Sequence, residues 1–595
     1  MSENADGVDE TASESAGGAA NPVEPPLAAP GPQPGASPAA PTVPQPGASP
    51  AAPTAPQPGA SPAAPTAPQP GVPPEIAAQM AWQAHQQRAR AAALAKASAP
   101  PTWVVRIRPA EAAPVRVATL VAALVAGLAT ALLLGDGLGP GLPLAVLPAV
   151  VAAYFAARAA GRGPRPWTLL WAVGCLALLV VPALRDSAWP ATLAILAAVL
   201  LGALALHGGR TWPGVLLSPL GLFESAVTGT AWAWAGLRSR SGGISKDRWL
   251  PVLKATAVAA GLLVLFGTLF ASADAAFADL LGDLMPDVSV GEGPFRTVLF
   301  ALGAVLALAA ARTAAAPLRW DRIEVTPGKP RSRVEWALPL IVLNLLFAGF
   351  NAVQLAVLFG GYDKVLSSTG LTYSEYARQG FWQLLWATLL TLVVIALALR
   401  WAPRAGAADR RFVRVVLGVL CAMTLVVVAS ALRRMDLYVD AYGLTRLRLS
   451  VAAMELWLGL VIVLIMAAGV FGARRLPRAV AGSAAAAVLA FGLLSPDGMV
   501  AENNVARYKT DGKIDLAYFQ SLSADAVPAL DGLPEPQRSC ALRGINDEMS
   551  KAGDVPWYAM SLGEYRARKI LRERPVTASY EECSRLGAFG SRIEY

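Results

Sequence analysis

The sequence predicts an all-α polytopic membrane protein with about eleven transmembrane helices and a small helical C-terminal extramembrane domain. Three observations carry this prediction. The chain is 55% hydrophobic and only 15% charged. Its apolar runs each approach the roughly 20 residues that a helix needs to cross ~30 Å of hydrocarbon. Arg and Lys alternate between the loops that separate the runs, which selects one orientation.

Residues 1–72 form a disordered, proline-rich cytoplasmic tail. It opens acidic, with Glu3, Asp6, Asp9, Glu10 and Glu14, and then repeats a twelve-residue unit at Pro32–Val43, Pro44–Ala55 and Pro56–Ala67, each beginning PQPGASPAAPT. Such composition builds no core and favours extended, polyproline-like chain. It reads as a flexible spacer or as a docking tail for a polyproline-binding protein partner. Residues 73–115 form a cytoplasmic helix and linker. The helix, 75–97, is announced by Pro73, Pro74 and Glu75, and Arg88, Arg90 and Lys96 suit it to the inner leaflet. Its apolar face, Ile76 with Met80, is too thin to be an anchor.

The transmembrane domain, 116–497, is divided into spans near 116–135, 141–160, 166–184, 188–207, 252–273, 295–315, 335–359, 380–400, 412–432, 449–472 and 478–497. Arg106, Arg108 and Arg116 precede the first span, so the N-terminus is expected in the cytoplasm. The inside connections and this lead carry 25 basic residues, against eight in the outside loops. An odd number of spans then places the C-terminus outside the cell membrane. No early apolar run with a basic start marks a cleaved signal peptide, so the first span is expected to act as an uncleaved anchor. Residues 213–237 are apolar enough to compete as a twelfth span. However, Pro213 and Pro219 are expected to break a helix there, Glu224 is costly at the bilayer centre, and a crossing would reverse the later charge bias. The segment reads as interfacial or re-entrant, with Trp232 and Trp234 at headgroup depth.

The segment 498–595 reads as a small extracytoplasmic domain of short helices punctuated by Pro528, Pro534, Pro536, Pro556 and Pro575. Cys175 and Cys421 lie in spans and read as packing residues. Cys540 and Cys583 lie outside in an oxidising compartment and are a candidate disulfide.

Candidate chemistry concentrates on the outer side. The loop after the fifth span offers Asp274 and Asp279, followed by Asp283, Asp287 and Glu292. The loop after the seventh offers Tyr362, Asp363, Lys364, Tyr373, Glu375, Tyr376 and Arg378. The loop after the ninth, RRMDLYVDAYGLTRLR, breaks the charge trend with Arg433, Arg434, Arg446 and Arg448 beside Asp436, Asp440, Tyr438 and Tyr442. These groups pair either with one another as a packed cap or with an anionic ligand. Within the membrane, Asn344, Asn351 and Gln354 share one helical face. Glu455 lies about 9–10 Å inside the tenth span at 1.5 Å per residue, where an ionisable group is a functional candidate. Its expected partner is an outer Arg or the Asn344/Asn351 face.

Several classes are excluded or disfavoured. Two histidines, His85 and His207, do not suit a His-rich metal site or a Ser-His-Asp triad. There is no GxxxxGK[ST] loop and no HExxH. Gly135, Gly137 and Gly139 follow no strand and form no dinucleotide fingerprint. The net charge of +9 belongs mostly to loops facing anionic lipid, so the lipid bilayer is an expected partner and nucleic acid is not. No cofactor is expected.

The runs LFASADAAFADLL (269–281), NLLFAGFNAVQLAVLFGG (344–361), LTYSEYARQGFWQL (371–384), RRMDLYVDAYGLTRLR (433–448) and IDLAYFQSLSADAVPAL (514–530) resemble a bacterial multi-pass membrane family, domain of unknown function 4173, close to 4153. The resemblance covers roughly residues 215–530. It implies an integral membrane protein and carries over no catalytic residue. Three functions remain open: a non-enzymatic envelope protein with an outward polar site for a ligand, lipid or partner; a secondary transporter using Glu455 and Asn351; and an envelope enzyme on a lipid-linked substrate with Asp274 or Asp279 as base.

Overall fold

The computed structural model describes residues 73–98, 102–109, 111–240, 293–326, 328–360, 381–403 and 405–588, and these contain helices and no strand. The chain divides into two units, Met1–Ala97 and Ser98–Tyr595. In the first, α1 (Pro74–Ser98) starts with Pro74 and Glu75 in its opening turn. There the missing proline N–H costs no hydrogen bond and an acid meets the positive end of the helix dipole. Ile76 and Met80 on α1 are exposed. The tail 1–72 lies outside the described residues.

The second unit is a polytopic helical bundle with a helical C-terminal segment. A short helix α2 (Thr102–Ile107) leads to α3 (Val117–Leu133), α4 (Gly141–Ala159), α5 (Pro166–Leu179), α6 (Val181–Leu184) and α7 (Ala188–His207). After α8 (Trp212–Arg240) come α9 (Gly293–Ala315), α10 (Arg333–Gly360), α11 (Phe381–Trp401), α12 (Ala407–Tyr442), α13 (Arg446–Phe471) and α14 (Leu476–Leu493). Among the described residues, nine helical segments are long and apolar enough to cross a membrane, and α3 is a shorter apolar helix. Together they account for ten of the eleven expected spans. The other, 252–273, lies outside the described residues.

The bundle has an Arg-rich end, where α4 leads to α5 and α13 to α14, and an opposite end that carries the C-terminal segment. Helices α3, α4 and α9 pack on one another through small residues such as Ala122, Ala152, Ala156 and Ala311. Gly303 on α9 sits so close to α3 that a Cβ would lie 2.3 Å from Thr130 Oγ1. Lipid supplies no hydrophobic drive between helices, so close backbone approach must supply the packing energy. Helices α5, α7 and α14 share a cluster around Trp171, Leu178, Leu201 and Ala485. Helices α10 to α13 form the other half, with Leu384, Val427 and Leu458 at its core, and α14 packs against both α7 and α13.

Helix α8 corrects one expectation. Pro213 and Pro219 do not break it. Pro213 falls in the first turn, where no backbone donor is needed, and next to Pro219 the Ser218 hydroxyl donates to the Gly214 carbonyl. Its contacts stay at the Arg-rich end. Asp321 Oδ1 accepts from the amides of Arg210 and Thr211 at 2.7 and 2.9 Å. Gly221 lies against His207 and Trp320. Trp232 Nε1 donates to the Ala113 carbonyl at 3.0 Å, and the Arg238 guanidinium covers the Trp234 ring at 5.1 Å.

The second correction concerns 433–448, which is not a loop. Helix α12 runs for 36 residues, so Arg433–Tyr442 are its last turns. Spacings of three and four residues put interacting side chains on one face there: Arg433 pairs with Asp436 at 2.9 Å, and the rings of Tyr438 and Tyr442 meet at 5.1 Å. The turn to α13 needs Gly443, which has φ +79° and leaves no room for a Cβ beside Asn504 Oδ1. Thr445 then caps α13, accepting from the Arg448 amide.

The third correction concerns the last span, which ends at Leu493 rather than 497. Ser495, at φ 56°, turns the chain into α15 (Pro496–Asp511). The C-terminal segment continues with α16 (Leu516–Phe519), α17 (Val527–Leu530), α18 (Gln537–Lys551), α19 (Leu562–Glu573) and α20 (Tyr580–Arg585). Its core gathers Val500, Phe519, Leu530 and Leu542 around Cys540 and Cys583, which are bonded to each other. In α19 the buried residues Gly563, Ala567 and Leu571 recur every fourth position, the pattern of a helix with one apolar face. Arg538, 1% exposed, is fully engaged: it donates to Asp531 and Glu535 and to the carbonyls of Arg574 and Pro575.

Candidate functional site

Polar groups converge where the C-terminal segment meets the bundle, and carboxylates make most of the contacts. Arg446, the first residue of α13, grips Asp497 with Nε at 2.6 Å from Oδ1 and Nη2 at 2.5 Å from Oδ2. Asp497 lies in the first turn of α15, where the helix dipole favours a negative charge. It is fully buried and also accepts from the Ser523 amide at 2.9 Å. Burial pushes its carboxyl up, but the Arg446 and Ser523 hydrogen bonds outweigh that and hold it below the usual carboxylate range.

A reciprocal contact lies beside it. Asp525 Oδ2 accepts from the amides of Asp186 and Ser187 at 2.8 and 3.2 Å, at the N-terminus of α7, whose N-cap is Ser187. Asp186 Oδ2 in turn accepts from the Ala524 amide at 3.1 Å, and the Ser187 and Ser523 hydroxyls meet at 2.8 Å. Each side thus caps backbone donors of the other. Gly563 permits the fit, since a Cβ there would sit 2.1 Å from Asp525 Oδ1. A third contact joins the α3–α4 turn to the segment. Asp136 accepts from Arg296 at 2.9 Å and from the Tyr558 hydroxyl at 2.7 Å, and the Gly141 amide donates to the Tyr558 carbonyl at 2.7 Å.

Burial raises the Asp186 carboxyl from 3.8 to about 6, with the Ala524 amide opposing and the neighbouring Asp525 adding to the rise. Burial likewise raises Asp525. An acid whose pKa is raised on folding binds its proton more tightly folded than unfolded. Its contribution is therefore complete below about pH 4 and is lost as pH rises through about 6. Asp497 has the opposite sign, losing its contribution only below the ordinary carboxylate range. We therefore expect thermal stability in detergent to fall between pH 4 and 6, and Asp186→Asn to flatten that decline. An unchanged slope in this variant would assign the decline to other groups.

The structure distributes the expected site residues unevenly. Arg446 is committed to Asp497. Arg434 donates to Gln354 Oε1 at 3.2 Å, as does Ser430 at 2.9 Å. Tyr438 and Tyr442 lie under the Arg448 guanidinium at 4.1 and 5.8 Å. Arg433, Asp436, Asp440 and Tyr442 remain at the surface. Within the bundle, the amides of Asn344 and Asn351 donate to the carbonyls of Val416 and Met423, tying α10 to α12. Glu455 does not pair with an Arg or with these amides. Its Oε1 accepts from Thr388 on α11 at 3.0 Å, it is fully buried, and among the described residues its Oε2 has no hydrogen-bond partner. Asp274, Asp279 and the 361–380 loop lie outside the described residues. Among the described residues, no group of three or more His, Cys, Asp or Glu is placed to hold a metal ion.

Sequence reasoning missed Asp186, Asp497 and Asp525. A signal was present for two of them. Asp186-Ser187 directly precedes an apolar run, and Ser495-Pro496-Asp497 has the residue order of a helix start.

A family model described as a domain of unknown function (DUF4153) matches residues 172–533. That segment begins within α5 and includes Asp186, Glu455, Asp497 and Asp525, but not Asp136 or the two bonded cysteines. It reaches further toward the N-terminus than the resembling runs did. No curated protein and no solved structure matches the chain significantly.

Proposed function

The chain belongs to the DUF4153 family of unknown function, and from that premise we propose that it is a non-enzymatic cell-envelope protein that presents a fixed polar surface outside the cell membrane to a ligand, lipid or partner. The supporting observation is the reciprocal capping between Asp186-Ser187 and Ser523-Asp525. It ties the C-terminal segment to the bundle beside Arg446 and Asp497. The end of α12, with Arg433, Asp436, Asp440 and Tyr442, and the docked segment then form one surface.

Orientation is the first point to test. Cys540 and Cys583 are fully buried and make poor reporters. On a background lacking Cys175 and Cys421, Asp440→Cys is expected to react with a membrane-impermeant maleimide in intact cells. Arg474→Cys is expected to react only after permeabilisation. The reverse pattern would invert the topology and remove the reading. For recognition, the solubilised protein is mixed with a purified envelope fraction and sedimented. Arg433→Gln combined with Asp436→Asn is expected to lower co-sedimentation at least fivefold with little change in stability, because an exposed pair contributes about 0–1 kcal/mol. Co-sedimentation equal to the parent would count against this site.

Glu455 favours a second reading, a secondary transporter. A fully buried carboxyl inside the helical bundle, with one oxygen that has no partner among the described residues, is a candidate for carrying a proton or coordinating a cargo. Glu455→Gln keeps the shape and the Thr388 contact, and is expected to abolish proton-coupled solute uptake in vesicles while the protein still folds. Uptake at the parental rate would end Glu455's part in transport.

A further inference from the structure

At the Arg-rich end, far along α13 and α14 from the capping contacts, a groove of about 680 Å³ opens where these two helices meet. This lies within the range of about 300–1,000 Å³ typical of small-molecule sites. Small side chains, Ala467, Ala468 and Ala479, line it and leave the depression unfilled. Phe471 stands at its edge, 88% exposed. The mouth carries Arg474 and Arg475, both on the 3-10 turn Ala473–Arg475. Among the described residues, no acid lines the groove.

The two arginines differ from the next one along. Arg478 is occupied, donating to the carbonyls of Gly209 and Gly208 at 2.9 and 3.2 Å and covering the Trp167 ring at 5.1 Å. Arg474 and Arg475 are exposed and make no ion pair or side-chain hydrogen bond among the described residues. The result is an apolar trough between two spanning helices, with two exposed guanidiniums on the turn at its end. Guanidinium forks match phosphate oxygens in geometry and charge, and the trough offers the adjoining surface to hydrocarbon.

We propose that this groove seats an anionic phospholipid, its phosphate on Arg474 and Arg475 and an acyl chain along Ala467, Ala468 and Ala479. A zwitterionic lipid fits less well, because its own cation competes for the phosphate and meets two positive charges. A soluble phosphate ester gains the arginines but leaves the trough empty.

The test uses the full chain in detergent, titrated with phosphatidylglycerol, phosphatidylcholine or glycerol phosphate and followed by native mass spectrometry. Each basic group near a membrane surface contributes about fivefold to attraction of anionic lipid. Arg474→Gln with Arg475→Gln is therefore expected to weaken the tightest phosphatidylglycerol site by roughly 25-fold. Ala468→Phe, which fills the trough while leaving both arginines, is expected to weaken it as well, with phosphatidylcholine weak throughout. Equal affinity for the two lipids, or parental phosphatidylglycerol binding in both variants, would overturn the proposal. Glycerol phosphate binding as tightly as phosphatidylglycerol would also overturn it, by showing that the acyl chain has no seat.

Discussion

Asp497→Ala is expected to destabilise the protein by about 3 kcal/mol. The substitution removes both acceptors of Arg446 and the acceptor of the Ser523 amide. Breaking one side of a buried ion pair costs about 3–5 kcal/mol, because the remaining charge stays desolvated. The Arg446 side chain is 32% exposed and regains some water, which argues for the lower figure. Thermal unfolding in detergent measures the loss. The double variant Asp497→Leu with Arg446→Leu separates two meanings of that number. It is expected to recover much of the stability, since no charge is left buried. If it is as unstable as the single variant, the pair is needed for its geometry, holding α13 against α15.

The second large effect concerns Cys540 and Cys583. They lie 43 residues apart in sequence, and chain-entropy reasoning assigns about 4 kcal/mol to a crosslink closing a loop of that size. Cys540→Ala with Cys583→Ala is therefore expected to lower the unfolding temperature of the C-terminal segment and to leave the spanning helices folded. Limited proteolysis should then cut within 512–580 while the bundle remains intact. Protease resistance equal to the parent would show that the core around Phe519 and Leu542, with the engaged Arg538, holds the segment without the crosslink.

Most of the helical architecture was legible because hydrophobic length is a strong signal. The 188–207 run matches α7 at both ends, and others differ by a few residues. The errors at α12 and at the last span have a common cause. Apolar length marks where a helix is in lipid, not where a helix stops. Arg433–Tyr442 looked like a loop because it is polar, yet its three- and four-residue spacings suit a helix in water. Leu493 and Leu494 drew the last span on to Asp497, although Ser495 and Pro496 mark a new start. The candidate site was less legible. Asp186, Asp497 and Asp525 are distant in sequence and matter only because the fold brings them to backbone amides. Glu455 stood out as an ion in an apolar run, but nothing local pointed to Thr388, 67 residues away.

At 1.5 Å per residue, the 36 residues of α12 make a strut of about 54 Å. Its ends are both secured: Asp409 by Arg333 and the Ala405 amide, and Ala441 by Arg507 at 2.6 Å. Only the apolar stretch 412–432, about 31 Å long, matches the hydrocarbon thickness of a bilayer. A strut held at both ends cannot slide to follow a thinner or thicker membrane. Hydrophobic mismatch must then be met by tilting the helices together or by deforming the lipid around them, at a fraction of a kcal/mol per Å. Bilayer thickness is thereby a load that the bundle meets as one body rather than helix by helix.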